Sequence, residues 1–242
     1  MAKLFITISA IMLVLPAAGL PQIPSRPSTP MGVSGGLIAL TLRDQNGKLQ
    51  IFTITPDEAN RKQLTFEGEN GRPDWSPDGR KITFMSARNE RAWVAVMAAD
   101  GSNQRLLTEG TAPDWSPNGQ HIAFVRRSGG NPDIYIVTRL NNGTWQDQTV
   151  LTRLTQHEAE DLSPVWSPDS RTIAFVSYRD GNAEIYTMRQ NGSKQRRLTS
   201  NGADDITPVW SPDGKRLAFV SHVYGAAEVF VMDADGSNQR RL

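Results

Sequence analysis

With 242 residues, a formal charge of +1 and not one cysteine, the chain can bury a sizeable core but projects no long-range field of either sign. That balance argues against nucleic acid or an anionic membrane surface as a partner. The lack of cysteine excludes thiolate catalysis, disulfide staples and cysteine-ligated zinc.

Lys3 precedes an apolar stretch from Leu4 to Leu15 that runs into the small residues Pro16-Ala-Ala-Gly19. This is the pattern of a secretory leader, residues 1–19, cleaved after Gly19. The stretch is shorter than the ~20 residues that span a bilayer, so no stable membrane span is expected after cleavage. No cysteine follows the small residues, which argues against a lipoprotein. Residues 20–33 are rich in proline and serine and read as a stiff linker. Residues 34–242 then carry the folded domain.

That domain opens on a weak unit. Leu37–Leu42, Gln50–Ile54 and Arg61–Thr65 read as strands, and a first strand is expected near Pro30–Ser34. Four stronger units follow, each headed by Pro-x-Trp-Ser-Pro-(Asp/Asn)-(Gly/Ser), at Pro73, Pro113, Pro164 and Pro208. The tryptophans lie 40, 51 and 44 residues apart, and nine residues after each comes Phe84, Phe124, Phe175 or Phe219. Such a period marks a repeat architecture.

The unit at Pro164 shows the plan. Pro164–Ser167 is a short first strand with proline at its first residue, Ser-Pro-Asp-Ser a reverse turn, and Thr172–Ser177 an apolar second strand. Tyr178–Asn182 is a loop, Ala183–Met188 a third strand, Asn191-Gly192 a hairpin turn and Gln195–Thr199 a fourth strand. Elsewhere Asp100-Gly101 and Asp235-Gly236 make the same hairpin, Trp93, Tyr135 or Phe230 supplies the third-strand aromatic, and Asn141–Asp147 lengthens one hairpin. No stretch carries a clean helical period. The fold class is therefore all-β: a β-propeller of about five four-stranded antiparallel blades, the first degenerate. Trp75, Trp115, Trp166 and Trp210, with the four phenylalanines, are its expected core, because a residue repeated in every blade is placed by the scaffold.

Pro-x-Trp-Ser-Pro-Asp-Gly, followed by Ile-Ala-Phe, Glu-Ile-Tyr or Glu-Val-Phe, Asp-x-Asp-Gly-Ser and Arg-Arg-Leu-Thr, resembles the WD-like repeats of TolB-type β-propellers from about Pro30 to Leu242. The resemblance implies an exported component of the Tol–Pal envelope system whose propeller docks a peptidoglycan-associated lipoprotein. TolB proper also has an α/β domain and six blades, whereas here a leader and linker precede about five. The same propeller accompanies serine-hydrolase domains in oligopeptidases, for which residues 34–242 leave no room.

In such a blade the first-to-second and third-to-fourth turns share one end of the ring. The irregular loops and blade-to-blade links share the other. Variation concentrates on that loop end, so the candidate binding residues are His157, Asp161, Arg179, Asp204, Asp205, His222 and Tyr224. Solvated acidic loops without a ligand are the alternative. Gly32-Val-Ser-Gly-Gly36 lacks the strand-turn-helix setting of a nucleophile elbow, and Asp233-x-Asp235-Gly236 is a hairpin rather than a calcium loop. His157, Glu160, Asp161, Asp204 and His222 have no metal-ligand spacing, so no metal, cofactor or catalytic residue is assigned. Arg105, Arg196-Arg197 and Arg240-Arg241 read as protection of an exposed outer edge.

Two functions follow. The first is an exported, periplasmic, non-catalytic scaffold for a protein or peptide, an envelope lipoprotein being the partner class that the resemblance implies. The alternative is a carbohydrate-active or metal-dependent enzyme of the envelope, or a sugar-binding propeller, using the acidic loop end. If the arc of blades stays open, its exposed apolar faces favour self-association.

Overall fold

The computed structural model describes residues 36–127, 129–139, 145 and 150–242. The leader, the linker, the expected strand near Pro30–Ser34, most of the Gly32–Gly36 motif and the long hairpin apart from Trp145 lie outside the described residues. Among the described residues every regular element is a strand, and these strands form five sheets. The first holds β1 (Ile38–Arg43), β2 (Leu49–Ile54) and β3 (Arg61–Gln63). The second holds β4 (Glu69–Trp75), β5 (Lys81–Arg88), β6 (Arg91–Ala98) and β7 (Arg105–Glu109). The third holds β8 (Thr111–Trp115), β9 (His121–Arg127), β10 (Pro132–Thr138) and β11 (Val150–Arg153). The fourth holds β12 (Asp161–Trp166), β13 (Thr172–Ser177), β14 (Glu184–Arg189) and β15 (Arg196–Arg197). The fifth holds β16 (Asp205–Trp210), β17 (Arg216–Ser221), β18 (Glu228–Asp233) and β19 (Arg240–Arg241). Each sheet is an antiparallel meander in chain order, which makes a five-bladed β-propeller.

The headline phrase builds the first turn of a blade. Ser167 Oγ donates to Asp169 Oδ1 at 2.6 Å and accepts from the Thr172 amide at 3.0 Å, while the Arg171 amide donates to Asp169 at 3.0 Å. Ser76 with Asp78, Ser116 with Asn118 and Ser211 with Asp213 repeat the arrangement. Serine, proline and a short acceptor are what such a turn needs, hence the repetition.

Proline does not start the innermost strand. Strands β12 and β16 begin three residues earlier, at Asp161 and Asp205, and the ladder shifts register between Leu162 and Val165 and between Ile206 and Val209. The residue before each proline, Arg72, Ala112, Ser163 or Thr207, has φ of +50 to +57°. A bulge leaves one residue out of the ladder, and a proline, lacking an N–H, fits there.

Four apolar clusters hold the molecule together, one per seam between successive blades. Among the described residues no such cluster joins the fifth blade to the first, and Val209 and Val229 on the fifth are exposed. Trp75, Trp115, Trp166 and all four repeat phenylalanines are buried, and Trp210 is partly so. Polar links reinforce the seams. Asp74 Oδ2 accepts from the Trp115 amide at 2.6 Å and Asp114 Oδ2 from the Trp166 amide at 2.7 Å. Where Gly is replaced by Ser170, its hydroxyl accepts from the Asn118 amide of the preceding blade. The hairpin glycines meet the preceding blade too: a Cβ on Gly192 would stand 2.5 Å from the Leu154 carbonyl oxygen.

The fourth-strand arginines do more than guard an edge. Arg153, Arg197 and Arg241 reach back to Asp133, Glu184 and Glu228 at 2.6, 2.7 and 2.9 Å, the acids at the start of their own third strands. Thr199 completes the clip by donating to Glu184 at 2.5 Å and accepting from the Ile185 amide at 2.9 Å, as Thr155 does with Asp133 and Ile134. The repeated Arg-Leu-Thr thus joins the outer strand, too short to hold by its ladder alone, to the blade.

Candidate functional site

The seven sequence-derived candidates divide by burial. Asp161 is fully buried, and both its oxygens accept from Arg179 Nη2 at 3.1 Å. Arg179 is itself fixed: its Nε donates to Ser177 Oγ at 2.7 Å, its Nη1 to Gln195 at 2.8 Å, and its guanidinium lies 4.7 Å over the Tyr186 ring. The Tyr186 hydroxyl donates to Asp180, and burial followed by that carboxylate pushes the phenol up to about 12. Asp205 is buried and accepts from Asn201 Nδ2 at 2.7 Å. Burial raises its pKa despite the Ser221 and Thr199 hydroxyls, which are near enough to favour the anion without meeting hydrogen-bond geometry at Oδ1. Asp161, Arg179 and Asp205 are thus tied into the blade ends, because the bulged strand starts earlier than the proline.

The remaining candidates face solvent. Asp204 is exposed, with Oδ1 accepting from the Ala183 amide at 2.9 Å and its carbonyl from the His222 amide at 3.0 Å. Tyr224 is 67% exposed, stacks on Phe230 at 6.2 Å and lies under the Arg241 guanidinium at 5.6 Å. His157 is exposed on the link from the third to the fourth blade, where Nδ1 accepts from the Ala159 amide. The two histidines are not brought together, and among the described residues no three side chains of His, Asp or Glu converge to hold a metal. His121, the third histidine, stacks on Trp166 at 5.9 Å, and burial lowers its pKa.

Glu160 and Tyr178 are the additional members. The Tyr178 amide donates to the Glu160 carbonyl at 3.0 Å, the bond that His222 makes to Asp204 one blade on. Burial, then the Asp204 and Glu160 carboxylates, raise the Tyr178 phenol pKa, so both acids lie within electrostatic reach of this ring. Arg127 pairs with Glu160 at 3.5 Å. The result is a continuous polar and aromatic band, Arg127, Glu160, Tyr178, Asp204 and His222, along the loop end of blades three to five. The signal in the sequence was positional: Glu160 and Asp204 immediately precede the first strand in their units, where blades two and three have Gly68 and Gly110. This arrangement offers hydrogen bonds, negative charge and aromatic surface.

Sequential antiparallel blades, four of them with an inner strand that ends on tryptophan, define a WD-like β-propeller. A model of the TolB beta propeller domain matches residues 110–242, more than half the chain, and the chain belongs to that family. It is 33% identical over 141 residues to a protein TolB homolog of Chlorobium chlorochromatii, covering 57% of this chain and 30% of that one. It is 40% identical over 60 residues to the Tol-Pal system protein TolB of Geobacter sulfurreducens, covering 25% of this chain and 14% of that one. The chain therefore spans less than a third of these curated relatives. Among solved structures, TolB from Acinetobacter baumannii superposes with a TM-score of 0.71 at 24% identity, covering 84% of this chain and 52% of that one. An oligogalacturonate lyase in complex with manganese gives a TM-score of 0.59 at 17% identity over 82% of this chain and 60% of that one. These two likenesses show the fold. No helix among the described residues is long and apolar enough to cross a membrane.

Proposed function

We propose that this chain is an exported, periplasmic, non-catalytic propeller that docks a protein or peptide partner on the loop end of blades three to five. The carrying observation is the exposed aromatic pair on this loop end, Tyr178 at 37% and Tyr224 at 67% exposure, with Asp204 exposed on the same end and the Glu160 carbonyl bonded to the Tyr178 amide. Aromatic side chains ringed by polar groups are what protein interfaces enrich, and their rigid rings bury large area at small entropic cost. The leader-like residues 1–19 support export, and the relatives named as Tol-Pal system proteins support an envelope partner, with a lipoprotein as the class that the resemblance implies.

The test is partner affinity of Tyr178→Ala and Asp204→Asn, each checked by its melting curve. Asparagine keeps an oxygen for the Ala183 amide and removes the charge. Loss of about tenfold or more in each, with melting unchanged, is the expected result; at an interface hot spot this corresponds to about 1.4 kcal/mol or more. Unchanged affinity in both overturns the assignment of this face.

A further inference from the structure

Blade two departs from its siblings along one cross-strand row. In blades three, four and five the second-strand phenylalanine meets a third-strand ring: Phe124 with Tyr135 at 6.0 Å, Phe175 with Tyr186 at 5.7 Å, and Phe219 with Phe230 at 5.7 Å. In blade two the partner of Phe84 is Ala95, and Trp93 stands two pairs nearer the loop, opposite Ser86. Trp93 is therefore not the equivalent of Tyr135 and Phe230, as the sequence suggested. It occupies the place of the acid that Glu184 provides opposite Ser177. The outer strand changes in step. Opposite Tyr135, Tyr186 and Phe230 stand Arg153, Arg197 and Arg241, whereas opposite Ala95 stands Leu106.

These replacements leave a cavity of about 310 Å³ at the seam of blades one and two, lined by Phe66, Phe84, Arg88, Ala95, Arg105 and Leu106 among others. That is near the lower limit for ligand pockets, ~300 Å³, and suits one ring rather than a large ligand. Arg88 is prepared for a ring. Its Nε donates to Ser86 Oγ at 3.1 Å, matching the bond from Arg179 to Ser177 that holds the Arg179 guanidinium over Tyr186. Here the third strand supplies Ala95 in place of that ring. At the mouth, Phe66 is 69% and Leu106 42% exposed, apolar surface that extends beyond the cavity.

We propose that this cavity binds an aromatic side chain of a peptide segment of a partner protein. The guest ring lies on Phe84 and Ala95 beneath Arg88, in the place that Tyr135, Tyr186 and Phe230 fill within their own blades. A peptide fits better than a free aromatic molecule because β7 is an outer edge strand with an unpaired side, able to pair with an extended segment, and because Phe66 and Leu106 offer contacts on either side of the ring. Arg88, which pairs with the exposed Glu67 at 3.5 Å, and exposed Arg105 favour acidic residues beside it. This site is distinct from the band on blades three to five.

The experiment is calorimetric titration of the full chain with the acetylated, amidated peptide Ser-Asp-Phe-Asp-Ser, its Phe→Ala counterpart and free phenylacetate. The phenylalanine peptide is expected to bind at least about tenfold more tightly than the alanine peptide and phenylacetate. Ala95→Tyr, which fills the cavity as in blades three and four, is expected to reduce that affinity at least about tenfold without lowering the melting temperature. Leu106→Arg, which restores the outer-strand residue of blades three to five, provides a second loss should Ala95→Tyr fail to fold. Undetectable binding of the phenylalanine peptide at about 1 mM, equal binding of the alanine peptide, or unchanged affinity in the folded variants overturns the proposal. Phenylacetate binding as tightly as the peptide overturns the choice of a peptide guest.

Discussion

Asp114 shows how one carboxyl serves a seam at an electrostatic cost. It accepts from the Trp166 amide at 2.7 Å, yet burial and then the neighbouring Asp74 carboxylate hold its pKa well above the usual range. The residue is partly exposed, but its carboxyl is closely surrounded by protein. A group whose folded pKa is raised keeps its proton in the native state while the unfolded chain releases it, so its contribution is full below ~3.9 and declines as pH rises through the folded value. Asp169 acts with the opposite sign. Hydrogen bonding from Ser167 lowers its pKa, so its contribution is lost as pH falls through that lowered value. The Asp114 contribution should therefore fall as pH rises from about 3.9 through the raised folded value, so the melting temperature of Asp114→Asn, which keeps an oxygen for the Trp166 amide, should fall less over that rise than that of the parent. Asp205, also raised by burial, leaves part of the slope in place. Equal slopes in a thermal-denaturation series would contradict this account of Asp114. None of it was legible in the sequence, where the aspartates in Pro-Asp-Trp read only as repeat text. The seam bonds join residues 41 and 52 positions apart.

At the scale of the element, the turns and apolar strands were readable because their chemistry is local. Serine, proline, aspartate and glycine specify the turn wherever the blade is placed. The bulge before each proline was not readable, since it depends on pairing with the second strand, and it decides that Asp161 and Asp205 are buried in the strand while Glu160 and Asp204 lie at its mouth. The same limitation concealed the absent ring of blade two: Trp93 looked like the third-strand aromatic until the register placed Ala95 opposite Phe84. The hairpin glycines were understood in part. Gly192, at φ +80°, satisfies its turn, but it also packs on the backbone of Leu154 in the preceding blade. Gly192→Ala should therefore cost more than backbone conformation alone, about 2 kcal/mol or more, through the added displacement of the seam. Gly181, also at positive φ but with open space where a Cβ would stand, is the control, with an expected cost nearer ~1 kcal/mol. Equal losses in chemical denaturation would show that the Gly192 contact with Leu154 contributes nothing.

For the whole molecule, the blade count and all-β class followed from period, while the placement of function depends on which end of the blades is free to vary. One end is occupied by the serine-aspartate turns and the hairpins that hook onto the preceding blade, with Gln195 and Gln239 reaching the Leu154 and Leu198 carbonyls at 3.4 and 3.0 Å. The other end carries Tyr178, Asp204, His222 and Tyr224, whose repeat equivalents differ from blade to blade. The TolB family places the chain among propellers but does not by its fold select a partner. The most direct measurement is site-specific photo-crosslinking in cell envelopes, with the probe at Tyr178 on the loop end or at Asp169 on the turn end. A discrete adduct with an envelope protein at position 178 and none at 169 is the predicted result. An adduct at 169 alone, or none at 178, would contradict loop-end docking.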